Sequence, residues 1–211
     1  SLSDQDAVMI EPTTIAIQSC TRAQLEKDDM LLIFGAGALG STILKVARQL
    51  CDHIIVADIM DEKLEAAKKN GATYTINVLK EDLVKKVKEY TFGHGTTVSI
   101  DSACTKDSLI NLLQATGNAG RVMTMGFSTA PTEINQFVIT SKELDVRGSR
   151  LQNKMFGKAI EMINAGKAGD YKKARAVHDR LLPVTKSVYH RGSHMEGTVA
   201  LKHALVERGI L

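Results

Sequence analysis

The sequence predicts an α/β protein: a doubly wound, six-stranded parallel sheet with helices on both faces, forming a three-layer α-β-α sandwich. The main observation is that, from Met30 onward, short apolar and β-branched runs alternate with segments of helical periodicity. A second is that these runs are continuously apolar, as expected of strands buried on both faces. A third is a cluster of glycines between the first run and the helical segment after it.

Six strands and five helices are predicted in this alternating part of the chain. The strands are expected at 30–34, 53–58, 73–77, 98–103, 121–126 and 144–149. The helices are expected at about 39–51, 61–70, 80–90, 106–116 and 154–165. Asp61 is expected to cap the second helix, and Asn70-Gly71 to end it with a left-handed residue. A further helix is expected in the lead-in, near 13–25.

Composition and charge are those of an ordinary globular domain. The chain has 211 residues, an apolar fraction of 44% and a formal net charge of +3. Because Lys and Arg are spread along the chain, nothing suggests a nucleic-acid or membrane partner. No apolar run approaches the roughly 20 residues that cross a bilayer, and the segment 1–10 has no signal-peptide pattern. A cytoplasmic location is therefore expected.

The three cysteines give no sign of a disulfide framework or a zinc knuckle. Cys20, Cys51 and Cys104 lie far apart and form no CxxC pair. They are expected to be reduced and partly buried side chains.

Three glycines lie between the first predicted strand and the helix that follows it. Gly35, Gly37 and Gly40 form the pattern G-x-G-x-x-G. The first permits a tight turn, the second leaves room for a pyrophosphate, and the third lets the helix pack closely on the strand. Ala38 and Leu39 lie at the start of the helix, where backbone N–H groups suit phosphate oxygens. In this context the pattern predicts a dinucleotide-binding Rossmann fold.

Asp58 ends the second predicted strand, 18 residues after Gly40. A carboxylate there would accept hydrogen bonds from the hydroxyls of the adenosine ribose. The alternative is that Asp58, followed by Asp61, only opens the next helix. The first interpretation predicts NAD rather than NADP, because a carboxylate about 4 Å from a 2′-phosphate costs roughly 4 kcal/mol at an effective dielectric near 20.

A family resemblance is carried by five segments in order: IEPTTIAI (10–17), GAGALG (35–40), VADIMDEKLEAAKKNGATYTIN (56–77), GRVMTMGFS (120–128) and VRGSR (146–150). In this series the chain resembles the zinc-type medium-chain alcohol and polyol dehydrogenases, which include sorbitol, threonine and sugar-acid dehydrogenases. The resemblance covers about residues 7–166. It implies an NAD-binding domain of an enzyme that oxidises an alcohol, polyol or sugar acid by hydride transfer.

The resemblance also implies roles for particular residues. The three glycines would hold the pyrophosphate and Asp58 the ribose. The backbone after the fifth and sixth strands would approach the nicotinamide, which points to Gly126, Phe127, Gly148 and Ser149. Since the family's sheet continues across a twofold axis, a homodimer through the region near 120–150 is implied as well.

Zinc is implied only for a full-length parent protein. In the family, the catalytic zinc is held by a Cys and a Gly-His-Glu motif in an N-terminal barrel domain, and this sequence contains neither that motif nor the four-cysteine cluster of the structural zinc. Glu11 matches a glutamate beside the catalytic zinc, although a surface acid before a helix with Pro12 at its first position is an equally good interpretation. Of the six histidines only His190 and His194 lie four apart, and no third ligand is evident.

The leading hypothesis is therefore an NAD(H)-binding domain of a zinc-type dehydrogenase. It divides the chain into a lead-in (1–29), the cofactor domain (30–166) and a C-terminal extension (167–211). No Y-x-x-x-K pair is present, so the catalytic residues are unknown and the chain alone is not expected to turn over. The alternative is a non-catalytic NAD(H)-sensing module; a methyltransferase is a third hypothesis, which the third glycine disfavours.

Overall fold

The computed structural model describes residues 4–126 and 129–168 of the chain. Its strands are β1 (Met30–Phe34), β2 (His53–Asp58), β3 (Tyr74–Asn77), β4 (Thr96–Asp101), β5 (Thr116–Thr124) and β6 (Asp145–Gly148). Its helices are α1 (Asp4–Val8), α2 (Ile10–Arg22), α3 (Ala38–Ala47), α4 (Asp61–Lys69), α5 (Leu83–Tyr90), α6 (Ser108–Ala115), α7 (Gln136–Thr140) and α8 (Phe156–Ala168).

The six strands form one parallel sheet in the order β3-β2-β1-β4-β5-β6. The chain moves outward from β1 to β3, then crosses back to place β4 on the other side of β1. This reversal makes a topological switch point between β1 and β4, the place where open α/β sheets bind ligands at the carboxyl ends of their strands. The predicted fold class, a Rossmann-like α/β sheet, is confirmed.

The core consists of strand residues covered by helices on both sides. Leu32, Ile55, Ile76 and Val122 are fully buried in the sheet, and Leu112 of α6 packs in the same apolar cluster. Strands buried on both faces need side chains that fill space without polar atoms, which is why the sequence shows continuous apolar runs rather than alternation.

Strands β1 and β2 lie where the sequence predicts them, whereas β4 and β5 begin earlier. The residues added at the start of each strand are polar, and their hydroxyl groups form hydrogen bonds with one another. Thr96 Oγ1 lies 2.8 Å from Ser99 Oγ, which lies 2.7 Å from Thr116 Oγ1. Thr116 Oγ1 in turn donates to the Leu112 carbonyl at 2.7 Å. The polar residues can therefore be buried, and apolar periodicity alone places the strand starts too late.

The expectation that Asp61 caps its helix is wrong. The N-cap of α4 is Met60, and Asp61 is the first helical residue. Its carboxylate instead accepts hydrogen bonds from the side chains of Asn77, at 2.6 Å, and Lys80. The predicted stop is confirmed, because Gly71 has a φ of +103° directly after the C-cap Asn70. The lead-in helix is also present, and α2 buries Ile17 and Cys20.

A buried ion pair holds the turn after α2 against the sheet. Arg121 Nη2 lies 2.5 Å from Asp29 Oδ1, and Arg121 Nη1 donates to the Ala23 carbonyl at 3.0 Å. Thr97 Oγ1 donates to the same Asp29 oxygen at 2.7 Å, and the Glu26 N–H donates to the other. One turn and two strands are thus joined through a single carboxylate.

The chain divides into two compact units. Residues 15–151 contain the whole sheet and all of the candidate cofactor residues. Residues 1–14 and 152–211 form the other unit, of which the described part comprises α1, the first turn of α2 and α8. The predicted boundaries at 29 and 166 stay predictions, and most of the 167–211 extension lies outside the described residues. Among the helices described, none has the length and apolar character needed to span a membrane.

Candidate cofactor site

The first glycine of the motif makes a turn that no other residue fits. Gly35 has a φ of +104°, and its N–H donates to the Ala57 carbonyl at 2.7 Å, so the turn continues the pairing of β1 with β2. A Cβ on Gly35 would lie 2.8 Å from the Ala103 nitrogen, which belongs to the loop after β4. Both the backbone conformation and the space therefore require glycine.

The third glycine allows α3 to approach the turn. A Cβ on Gly40 would lie 1.9 Å from the Gly35 carbonyl oxygen and 2.7 Å from Ser102 Oγ. Ser102 Oγ donates to that same carbonyl at 2.8 Å, so a hydrogen bond from the end of β4 fixes the turn in place. The role predicted for Gly40, close packing of helix on strand, follows from this geometry.

The second glycine is different, because the fold itself does not need it. A Cβ on Gly37 would meet nothing within 4 Å, and its φ of −69° suits any residue. Gly37 is the N-cap of α3 and no side chain caps the helix there. Ala38, Leu39 and Gly40 follow, and the first N–H groups of a helix have no acceptor within it. The open space beside Gly37, next to these donors, fits a phosphate group.

Asp58 lies beside the glycine turn and is bonded to it. Its Oδ2 accepts a hydrogen bond from the Ala36 N–H at 2.7 Å, and its Oδ1 accepts one from the Met60 N–H at 3.0 Å. The second bond means that Asp58 also shapes the entry to α4, as the alternative interpretation supposed. A carboxylate has about four lone-pair positions, so two remain for hydroxyl groups of a ligand.

The next acid along the chain, Asp61, is paired with a lysine. Lys80 forms an ion pair with Asp61, and Asn77, the strand partner of Asp58, donates to the same carboxylate. The hydrogen bonds from Lys80 and then Asn77 hold the pKa of Asp61 below its usual value. The pair of Lys80 and Asp61 is nevertheless exposed, with 63% and 57% of the two side chains accessible, so solvent weakens it.

The residues predicted to lie near a nicotinamide are at neighbouring strand ends. The position of a Cβ on Gly126, after β5, is 3.9 Å from Cys104 Cβ, after β4. Gly148 ends β6 and is exposed, and the Ser149 N–H donates to the Thr124 carbonyl at 2.9 Å. Phe127 lies outside the described residues. The structure therefore brings Gly126, Gly148 and Ser149 to one edge of the sheet.

A buried carboxylate at the end of β4 was not singled out by the sequence reasoning. Asp101 is 2% exposed and accepts hydrogen bonds from Ser108 Oγ at 2.6 Å and from the Cys104 N–H at 2.8 Å. Burial, and secondly the Asp101 charge, raises the pKa of the Cys104 thiol to about 11. The available signal was an acid directly after an apolar strand, the same signal that pointed to Asp58.

The described residues do not fit a zinc site. Nowhere in residues 4–126 and 129–168 do three or more His, Cys, Asp or Glu side chains come together as metal ligands. Glu11 lies in the first turn of α2 with an exposed side chain, and its carbonyl accepts a hydrogen bond from Thr14 Oγ1 at 2.6 Å. One carboxylate is too few ligands for zinc. His190 and His194 lie outside the described residues.

The parallel sheet, with a glycine turn at its switch point, defines a Rossmann-like α/β protein. A family model for zinc-binding dehydrogenases matches residues 38–165. The chain therefore belongs to the zinc-binding dehydrogenase family.

Known relatives agree with this assignment. The chain is 38% identical to the starvation-sensing protein RspB of Escherichia coli K12 over 79% of its own length and 49% of that protein. It is 30% identical to sorbitol dehydrogenase of Bacillus subtilis over 79% of this chain and 48% of that protein. The chain thus spans about half the length of the curated relatives it matches.

A solved structure is similar in both fold and sequence. The short chain alcohol dehydrogenase rspB from E. coli CFT073, complexed with cofactor NADH, matches with a TM-score of 0.73 and 37% identity. The match covers 82% of this chain and 50% of the rspB chain.

Proposed function

We propose that this chain is the NAD(H)-binding half of a zinc-type medium-chain dehydrogenase that oxidises an alcohol, a polyol or a sugar acid. The observation that carries the proposal is the open space at Gly37. The fold tolerates a side chain there, yet glycine leaves room for a pyrophosphate beside the N-terminus of α3. The NADH complex of rspB and the dehydrogenase names of the relatives support the same cofactor class.

NAD is proposed over NADP because of the charges at the adenosine end. The Asp58 carboxylate is held in place by two backbone N–H groups and cannot turn away from a ligand without breaking them. A 2′-phosphate about 4 Å from it would cost roughly 4 kcal/mol at an effective dielectric near 20, close to a thousandfold in affinity.

The chemistry divides between the cofactor, this chain and the rest of the parent protein. Bound NAD supplies the hydride acceptor. This chain would hold the pyrophosphate at the glycine turn, the ribose at Asp58, and the nicotinamide end near Gly126, Gly148 and Ser149, with Phe127 beside them by family resemblance. The zinc and its ligands are proposed to lie in the part of the parent protein outside this chain, where Glu11 would face them.

The proposal is tested by calorimetric titration of the purified chain with NADH and then NADPH, in the original sequence and in Asp58→Asn. Asparagine keeps one oxygen that can accept the Ala36 N–H, so the bond to the glycine turn can be kept while the charge is removed and only the bond from Met60 N–H is lost. We expect micromolar NADH binding, a strong preference over NADPH, and a loss of most of that preference in the variant. Asp52→Asn, an exposed acid before β2 at the other end of the sheet, is the matched control.

Each alternative outcome has a distinct meaning. Binding of neither nucleotide would remove the proposed function and leave only the fold. Equal binding of both nucleotides by the original chain would retain the dinucleotide site and contradict the role of Asp58. Binding of S-adenosylmethionine in place of NADH would indicate a methyltransferase.

A homodimer through the 120–150 region is also proposed. β6 is an edge strand of the sheet, and Val146 on it is 38% exposed, while Phe137 on the neighbouring α7 is 71% exposed. An edge strand with apolar side chains can pair with a second copy. Light scattering at micromolar concentration is expected to give twice the mass of the chain, and Val146→Lys is expected to give the monomer mass. A monomeric original chain would contradict this.

A further inference from the structure

The first peptide group of the glycine turn is held at both ends by side chains. It joins Gly35 to Ala36, which are both buried. Its carbonyl oxygen accepts a hydrogen bond from Ser102 Oγ at 2.8 Å, and its N–H donates to Asp58 Oδ2 at 2.7 Å. Ser102 follows β4 and Asp58 ends β2, the two strands on either side of β1. Both neighbours of β1 thus fix the same peptide plane.

The Ser102 hydroxyl lies near two acceptors, because its oxygen is also 3.0 Å from the Phe34 carbonyl oxygen. That carbonyl already accepts the N–H groups of Ser102, at 3.0 Å, and of Ala103, at 2.8 Å. A carbonyl oxygen has two lone pairs, so both are occupied. The hydroxyl proton is therefore best used by the Gly35 carbonyl.

The Gly35 carbonyl depends on this serine because α3 packs directly against it. A Cβ on Gly40 would lie 1.9 Å from the carbonyl oxygen and 2.7 Å from Ser102 Oγ. The oxygen is thus enclosed between the helix and the serine. Removal of the hydroxyl would leave a buried acceptor without its donor, and the peptide would be held at its N–H end alone.

The residues that follow this peptide are the ones open to a ligand. Gly37 and Ala38 are exposed, and the Ala36 carbonyl before them accepts from Ser41 Oγ at 3.1 Å. They lead into α3, whose first N–H groups are proposed to bind the phosphates. The direction of these groups depends on the peptide plane that precedes them. Donors that are already in place bind more tightly than donors that must be ordered on binding.

We propose that Ser102 is a positioning residue for the pyrophosphate, because its bond to the Gly35 carbonyl keeps the turn in the conformation that binds phosphate. Asp58 holds the other end of the same peptide and, in addition, selects the cofactor. Ser102 takes no part in that selection, since it holds the peptide from the opposite side of β1. It therefore sets how tightly a dinucleotide binds and not which one. This inference rests on the proposed function, since it requires a dinucleotide to bind.

The test compares ligands with and without a pyrophosphate. Dissociation constants for NADH, NADPH, ADP-ribose and adenosine are measured with the original chain, Ser102→Ala and Ser102→Thr. Alanine removes the hydroxyl, whereas threonine retains it. Ser19→Ala is the matched control, because Ser19 Oγ also donates to a backbone carbonyl, that of Ala16 within α2, at 2.8 Å. Melting temperatures establish that each variant is folded under the conditions of the titration.

Ser102→Ala is expected to weaken NADH, NADPH and ADP-ribose by the same factor, about three- to tenfold, because one hydrogen bond that orders the turn is lost. The affinity for adenosine and the preference for NADH over NADPH should not change. Ser102→Thr should restore the affinity for the three pyrophosphate ligands. The control should bind all four ligands as the original chain does.

Three results would overturn the inference. Unchanged NADH affinity in Ser102→Ala, whatever the melting temperature, would mean that the hydrogen bond serves only the fold. An equal loss of adenosine affinity, or a changed preference between NADH and NADPH, would place the effect at the adenosine end. Equal weakening in Ser102→Thr would show that the hydroxyl is not the group responsible. If the original chain binds neither NADH nor ADP-ribose, the proposed function fails and this inference fails with it.

Discussion

At the scale of single residues, substitutions at Gly37 and Gly40 distinguish a glycine that the ligand is proposed to need from a glycine that the fold needs. Gly37→Ala is expected to change the free energy of unfolding by at most about 1 kcal/mol, because nothing lies within 4 Å of the added methyl group. NADH affinity should nevertheless fall at least about tenfold, since the methyl occupies the space left for the pyrophosphate.

Gly40→Ala, in contrast, is expected mainly to lower the stability of the fold. Its methyl group would lie 1.9 Å from a backbone carbonyl oxygen, so the turn must move and the fold loses about 3 kcal/mol. Urea unfolding and calorimetry of the two variants give both quantities. Equal destabilisation by the two substitutions would show that Gly37 is also structural.

Cys104 is expected to react slowly as a nucleophile. Its pKa of about 11 is two units above the ordinary 9.0, so at pH 8 its thiolate fraction is about a hundredfold lower than that of a free thiol. Alkylation by iodoacetamide, followed by mass spectrometry, should show this reduction against a peptide of the same sequence. Reaction at the peptide's rate would contradict the burial seen here.

The raised pKa of Cys104 also makes the stability of the fold depend on pH. The unfolded chain releases the Cys104 proton near pH 9.0, whereas the folded chain retains it to about pH 11. The stabilising effect is complete below pH 9.0 and is lost as the pH rises through this window, because the unfolded state then binds fewer protons. Cys104→Ala should accordingly flatten the loss of stability between pH 9 and 11.

Sequence reasoning reaches the residues whose role depends on type and spacing. The structural roles of Gly35 and Gly40 could be predicted because a tight turn and a closely packed helix each restrict the residue type, whereas the role of Asp58 towards a cofactor stays a prediction. The bonds from Ala36 and Met60 to Asp58 could not be predicted, since any residue supplies a backbone N–H.

At the scale of elements, the side chain of Lys142 caps the C-terminal end of α6, although the two are distant in sequence. Its Nζ donates to the carbonyls of Leu113, Gln114 and Thr116, each at 2.9 Å. These belong to the last turn of α6 and the start of β5, where helix carbonyls have no partner of their own. The lysine thus connects α6 to the segment between α7 and β6.

Lys142→Met is expected to lower the free energy of unfolding by about 1–3 kcal/mol, because it leaves these carbonyls without their donor. Lys106→Met, at an exposed position before α6, is the matched control and should stay within about 0.5 kcal/mol. Both are measured by urea unfolding at pH 7. A similar effect of the two substitutions would mean that the three bonds do not stabilise α6.

Element boundaries show where periodicity is informative and where it is not. β1 and β2 could be predicted to the residue, since apolar runs bounded by polar residues coincide with the strands. The short helices α1 and α7 were missed, because five residues contain too few turns to show a helical period. In β4 and β5 the polar starts are stabilised by hydroxyls from separate strands, which no local pattern reports.

At the scale of the whole molecule, the pair of Asp29 and Arg121 is expected to hold the fold together. Arg121→Met leaves a carboxylate that is 8% exposed without its counter-charge, and the free energy of unfolding should fall by about 3–5 kcal/mol. Lys80→Met removes one partner of an exposed pair, 63% and 57% exposed, and should cost less than about 1 kcal/mol. Equal losses measured by thermal unfolding would refute the special role of the buried pair.

The overall architecture was the easiest level to predict. Alternation of strands and helices restricts the topology to a few arrangements, because crossover connections between parallel strands are right-handed and short. Cofactor choice and assembly were also predicted from the sequence, but they depend on charges and surfaces contributed by distant segments, and they stay predictions.

Asp58 is proposed to select the cofactor, and it also holds the glycine turn in place. Because one of its oxygens accepts the Ala36 N–H of the glycine turn, the group proposed to discriminate between cofactors also anchors that turn. Replacing it with glycine to admit NADPH would release the turn and weaken both cofactors together. A change of cofactor preference would instead need a neutral acceptor at position 58 and a cation nearby.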